Sequence, residues 1–184
     1  MFERYGRVFG AENKAALLGS SLPVAGRMFE RLLDQPGRAT ELAAELLALV
    51  AEVIGRGADP MPGAMDLVAS LKGRIPLGVA SNSPRSLVEV ALDVSGMAGS
   101  FDAVVCGDEV DAFKPAPHIY LRAAELLGVP PGSLVALEDS PPGVASARAA
   151  GAFVVGIPSV PGVVLQADLV AASLDAPEVL NLLG

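Results

Sequence analysis

The chain has 184 residues and a formal net charge of −8, with 52% of its residues hydrophobic and 18% charged. That suits one globular domain, or one domain with a smaller attachment. The acidic balance, with no basic stripe, argues against non-specific nucleic-acid binding, and no apolar stretch approaches a membrane span. With no signal-peptide layout at the N-terminus, a cytoplasmic home is the default expectation.

Up to about residue 58 every strong signal is helical. "LPVAGRMFERLL" repeats apolar residues at helical spacing, and "ATELAAELLALVAEVIG" does so for longer, with Thr40 placed to cap it. "GADPMPG" (57–63) reads as a linker. Helices and short apolar strands then alternate. "AMDLVASLKG" is a helix, "IPLGVA" (75–80) a strand, "PRSLVEVALDVSG" a helix and "FDAVVC" (101–106) a strand. "APHIYLRAAELLG" (116–128) is a helix, "SLVALE" (133–138) a strand, "PGVASARAAG" a helix and "AFVVGI" (152–157) a strand. "ADLVAASL" and "PEVLNLL" read as an edge strand and a closing helix. This alternation predicts an α/β fold with a parallel sheet covered on both faces. The single cysteine, Cys106, ends a strand and is expected to be a small buried residue rather than a reactive thiol.

Open α/β sheets bind ligands beyond the carboxyl ends of their strands. The residues at those ends are Ser81, Asn82 and Ser83, then Lys114 in "GDEVDAFKP", then the adjacent Glu138 and Asp139. Neighbouring carboxylates raise each other's pKa unless a cation or hydrogen-bond donors hold them ionised. Such a pair can hold Mg²⁺, which takes few carboxylates, several waters and a substrate phosphate oxygen. Phosphoryl transfer also wants fixed positive charge and donors, which Lys114 and the Ser81 hydroxyl could supply. Pro115 suits the first position of a helix and fixes the path of the lysine's loop. Singly, Ser81 reads as a helix cap, Lys114 as a solvated loop charge and Glu138-Asp139 as a turn. Together, at three successive strand ends, they read as a site.

"VASNS", "KPAPHIY" and "LEDSPPGVASARAAG" resemble the second, third and fourth motifs of the haloacid dehalogenase-like hydrolases. The likeness is to the branch of phosphoglucomutase-like and phosphoglycolate-phosphatase-like members with a helical cap. "FGAENKAALLGSS" and "PMPGAMDLVASLKGRIPLGVASNSP" extend the resemblance over essentially the whole chain. It implies a Rossmann-like core over 59–184, a helical cap over 1–58, and Mg²⁺-dependent transfer from the phosphoester of a small metabolite. It further implies that Ser81, Asn82 and Lys114 bind the phosphoryl group, with Ser81 and Lys114 acting in catalysis. Glu138 and Asp139 would hold the metal.

Three features depart from the family pattern. The family's nucleophile is the first aspartate of an Asp-x-Asp motif ending an opening strand, and this sequence contains no Asp-x-Asp. Without it the covalent route has no attacking group and the metal loses a ligand. The opening strand would lie mid-sheet, between those ending at Ser81 and Glu138, so its absence implies a gap with unpaired backbone groups on both sides. Either the flanking strands close up, something fills the slot, or the chain is a shortened form of a longer enzyme. The last is the expectation, with Met1 an internal or misassigned start and this chain inactive alone. An unfilled slot would also favour self-association. Leu22 stands where the family's mutases carry an arginine for a second phosphate, which favours a phosphatase over a mutase. His118, where the family has an aspartate, is expected to be solvated or capping. Two other readings stay open: a catalytically dead relative binding a phosphometabolite or protein partner, and a phosphoacceptor receiver domain, which has no place for the first 58 residues.

Overall fold

The computed structural model describes residues 1–57 and 59–184. Residue 58, the end of the expected helical part, lies outside the described residues. Before it come three helices, α1 (Ala11–Leu17), α2 (Leu22–Leu32) and α3 (Ala39–Gly55). Phe2, Phe29, Leu33 and Leu42 form a small apolar core among them. Helices α2 and α3 approach closely at Gly26, where a Cβ would lie 2.2 Å from the Ala39 carbonyl oxygen. Thr40, expected as the cap of α3, sits inside its first turn, and Arg38 is the capping residue. The Arg38 guanidinium holds that position by donating to Glu41 at 2.7 Å and to the Tyr5 hydroxyl at 3.0 Å.

The second part alternates as its apolar runs predict. Helices α4 (Ala64–Leu71), α5 (Arg85–Val94), α6 (His118–Leu127), α7 (Pro141–Ala149) and α8 (Pro177–Leu183) interleave with five strands. These are β1 (Gly78–Ser81), β2 (Ala103–Cys106), β3 (Val135–Glu138), β4 (Phe153–Gly156) and β5 (Leu169–Val170). All the pairings are parallel: β1 with β2, and β3 with β4 and then β5. The β1 ladder starts three residues later than its apolar run suggests. Pro76 has no N–H to contribute, and the Leu77 N–H is taken by the Asp102 side chain at 2.8 Å. The β3 ladder starts two residues late because Pro131–Ser133 is a 3-10 turn. Helix α6 begins at His118, so Pro115 is not its first residue, and the Lys114–Pro115 bond is cis.

One apolar cluster, including Val105, Ile119, Ala123, Ala136, Val144 and Val154, joins the sheet to α6 and α7. A second, with Leu67, Leu71, Val155, Ile157 and Val179, covers its other face with α4 and α8. The sheet is interrupted between β1 and β3, which share no hydrogen bond among the described residues. The flanking strands have therefore not closed up. No helix among the described residues is long and apolar enough to cross a membrane.

Candidate functional site

The carboxyl ends of β1 and β3 are joined by one side chain. Lys114 leaves the loop after β2, and its Nζ donates to the Ala80 carbonyl oxygen at 2.9 Å and to Glu138 Oε1 at 2.5 Å. Both side chains of this ion pair are over nine-tenths buried, at 7% and 6% exposure. The ammonium also lies 4.9 Å from the centre of the Tyr120 ring, whose negative face favours a cation. An ammonium carries three donors, so one remains for a ligand.

Glu138 is held from every side. Its Oε1 also accepts from the Tyr120 hydroxyl, and its Oε2 from Ser140 Oγ at 3.3 Å. Burial, followed by the Glu138 charge, pushes the Tyr120 phenol well above its ordinary pKa, so it stays a protonated donor. Ser140 has a second role: its Oγ caps α7 by accepting from the Gly143 N–H at 3.1 Å. Because Pro141 and Pro142 have no N–H, this leaves the start of α7 without the free donors that make helix termini anion sites. Gly143 packs so tightly that a Cβ there would lie 1.7 Å from Glu138 Oε2.

Asn82 is buried and spends its side-chain amide on backbone. Its Oδ1 accepts from the Lys114 N–H at 2.8 Å, and its Nδ2 donates to the Gly19 carbonyl at 2.8 Å. It thus orders the lysine's loop and ties it to the helical part. The Ser81 hydroxyl accepts from the Ser83 N–H at 3.1 Å, a local turn that leaves its own proton free to donate. Gly19, at φ +70°, sits over Ser140, where a Cβ would lie 2.3 Å from Oγ. The helical part therefore reaches the strand ends at Gly19.

The adjacent acids do not converge. Glu138 points inward to Lys114, whereas the half-buried Asp139 accepts from Ser159 Oγ at 2.7 Å. No cluster of three or more acids, histidines or cysteines suited to a metal occurs among the described residues. The donor chemistry fits Mg²⁺ in part. Asp139 offers a hard oxygen at the rim, and this ion completes its shell with water and phosphate oxygens. Glu138 bonds to Lys114, Tyr120 and Ser140.

The other expectations separate cleanly. His118 is exposed at the start of α6. Cys106 is fully buried, and burial pushes its thiol up to about 11. An aromatic disulfide reagent at pH 8 is expected to leave the folded chain unlabelled and to label it once in urea; rapid labelling of the folded form would contradict this burial. Sequence reasoning missed Tyr120, Ser140, Gly143 and Gly19. A buried tyrosine needs a partner for its hydroxyl, and that was the available signal for Tyr120. It also missed the Arg85 guanidinium, which donates to both Glu109 oxygens and to the Val104 carbonyl, pinning α5 to the loop after β2.

A parallel sheet with helices on both faces, and a buried lysine bound to an acid at its strand ends, defines a Rossmann-like α/β protein. The haloacid dehalogenase-like hydrolase pattern matches residues 4–151, and the chain belongs to that family. It is 31% identical over 160 residues to a bifunctional riboflavin kinase/FMN phosphatase of Arabidopsis thaliana, covering 86% of this chain and 42% of that one. It is 37% identical over 118 residues to the validoxylamine A 7'-phosphate phosphatase of Streptomyces hygroscopicus subsp. limoneus, covering 64% and 55%. Among solved structures, CbbY of Rhodobacter sphaeroides in complex with phosphate matches with a TM-score of 0.74 and 28% identity, over 98% of this chain and 88% of that one. The chain spans about half the length of the first curated relatives it matches.

Proposed function

We propose that the protein is a Mg²⁺-dependent phosphatase of small phosphorylated metabolites. The observation that carries this reading is the buried Lys114–Glu138 pair bridging β1 and β3, with Ser81 and Asp139 at the carboxyl ends of the same two strands. In this reading Lys114 and the Ser81 hydroxyl grip the transferring phosphoryl group, stabilising its developing charge. Asn82 keeps the lysine's loop in place. Asp139 would hold Mg²⁺, with the Glu138 charge behind it; the ion, when bound, neutralises phosphate oxygens and orients the ester. Residues 1–58 serve as the cap and 59–184 as the core, and the protein works in the cytoplasm. The relatives' phosphatase activities and the phosphate bound to CbbY support the substrate class.

No Asp-x-Asp occurs in these 184 residues, so the attacking carboxylate is proposed to come from a preceding strand. The chain alone is then expected to be inactive on p-nitrophenyl phosphate. The same chain preceded by a strand ending in Asp-x-Asp should be active with Mg²⁺ and lose that activity in EDTA. In the extended form, Lys114→Ala should lower kcat/KM by about 10²–10³-fold. An extended protein that stays inactive, while Lys114→Ala weakens phosphate-ester binding, would establish the non-catalytic binder instead. An in-frame stop upstream of Met1 with no Asp-x-Asp beyond it would sink the proposed source of the nucleophile.

A further inference from the structure

Arg85 and Glu109 form an ion pair on the outer edge of β2, a strand that pairs only with β1 among the described residues. The Ala103 N–H donates to the Leu77 carbonyl beside β1, so strand alternation turns the main-chain groups of Val104 and Cys106 outward. Arg85 Nη2 donates to the Val104 carbonyl at 2.8 Å, and Glu109 Oε2 accepts from the Cys106 N–H at 2.9 Å. The two side chains also meet as a fork, Nε to Oε1 at 2.5 Å and Nη2 to Oε2 at 2.8 Å. Each partner is thus anchored twice, on the other and on the backbone of the strand. The pair spans two loops that both lead to the site, one running from Ser81 to Arg85 and the other from Gly107 to Lys114. Their inner contact is the Asn82 side chain on the Lys114 main chain. At the outer contact the Gly107 N–H donates to the Ser83 carbonyl at 3.0 Å, and Asp108 Oδ1 accepts from the Arg85 N–H at 3.0 Å. The fit between the loops is close, since a Cβ at Gly107 would lie 2.4 Å from the Asn82 carbonyl oxygen.

We infer that Arg85 and Glu109 are positioning residues for phosphate binding, a clamp that fixes the Ser81 loop against the Lys114 loop without touching the phosphoryl group. This role rests on the reading of Ser81 and Lys114 as the phosphoryl grip. The two gripping groups sit on different loops, so their spacing is only as fixed as the contact between those loops. Asn82 alone would leave a pivot, and a second attachment at the outer end removes rotation about it. The rigid fork of a guanidinium suits that task, whereas a lysine ammonium would offer a single point of charge. Side-chain exposures of 38% and 36% make the pair a minor contributor to stability. What it supplies is the register of the two loops. Its charges cancel within the pair, so steering of an anion does not account for it.

The probe is inorganic phosphate with Mg²⁺ at constant ionic strength, added to the whole chain, with Kd read from the amide shifts of Ser81, Asn82 and Lys114. Arg85→Met and Glu109→Ala should each weaken binding by about three- to tenfold, within the range of couplings carried through a hydrogen-bonded network. Their combination should lose no more than either alone, because each already opens the clamp. Arg85→Lys should behave as Arg85→Met does, since the charge remains and the fork is gone. Tm should stay within about 4 °C throughout, as for an exposed pair. The sign at Glu109 is decisive: removing a negative charge tightens an anion's binding if charge alone matters, and tightening there overturns the assignment. So do unchanged Kd values in both single variants, additive losses in the double variant, full binding by Arg85→Lys, or a larger fall in Tm. Lys114→Ala separates this role from the reading beneath it. If it weakens phosphate binding while the clamp variants do not, the clamp fails and the phosphatase reading stands. If the parent chain gives no saturable shift, or Lys114→Ala leaves its Kd unchanged, the phosphatase reading fails and the clamp with it.

Discussion

Gly143→Ala is expected to destabilise the folded chain by on the order of 3–5 kcal/mol, more than a single methyl ordinarily does. The added Cβ would lie 1.7 Å from Glu138 Oε2 and 2.1 Å from its Cδ, so the carboxylate must move. Helix α7 cannot retreat freely, because Val144 and Ala147 are buried in the core beneath the sheet. The displaced carboxylate loses its alignment with Lys114 and with the Tyr120 hydroxyl, so overpacking and a damaged buried ion pair add together. At about 2–4 °C per kcal/mol for a chain of this size, Tm should fall by about 10 °C or more. The clash is specific to one side chain, which supplies the check. Adding Glu138→Ala to Gly143→Ala should give a double variant well short of the sum of the two losses. Additive losses, or an unchanged Tm, would show that the contact is not as tight as described.

Breaking the ion pair from the other side is the second large effect. Glu138→Gln leaves the buried Lys114 ammonium with hydrogen-bond acceptors but no counter-charge, and Lys114→Met leaves an unpaired buried carboxylate. Each is expected to lower stability by about 3–5 kcal/mol, read from urea midpoints at constant m. The combination of Lys114→Met with Glu138→Gln should recover most of that loss, because two neutral side chains of similar volume carry no orphan charge. Recovery would show that the pair is held for its position at the strand ends rather than for stability. Single losses below about 1 kcal/mol would mean that water reaches the pair, as at surface salt bridges.

The alternating part of the fold was legible because apolar strands and amphipathic helices differ in period, and both periods are clean here. Helix α3 matches its apolar run from end to end, whereas β1 and β3 start late. Apolar content does not reveal which residues pair: Ile75 and Pro76 belong to the run and not to the ladder. The rim residues were legible from their place after strands. Their partnerships were not, since these depend on which way each side chain turns. Glu138 and Asp139 look like one feature in sequence, yet neighbours at a strand end diverge, and only Glu138 meets the lysine. Asn82 was read as a phosphate ligand because it follows Ser81. Its side-chain amide bonds to Gly19 and Lys114, partners 63 and 32 residues away, which the sequence order does not reveal. The interruption of the sheet was foreseeable from the absent motif, but not whether its edges would stay apart.

The Asn82 amide ties the helical part to the lysine's loop. One end of this side chain holds the Gly19 carbonyl on the helical part, and the other holds the main chain of Lys114. Swinging the helical part away breaks the first bond and leaves a buried donor without an acceptor, a penalty of about 1–3 kcal/mol unless water replaces it. The same amide then loses one of the anchors that fix its plane, and the lysine's loop loses its template. Losing the Gly19 contact is therefore expected to loosen the lysine's loop as well, so the two parts of the chain share one hinge-pin at Asn82.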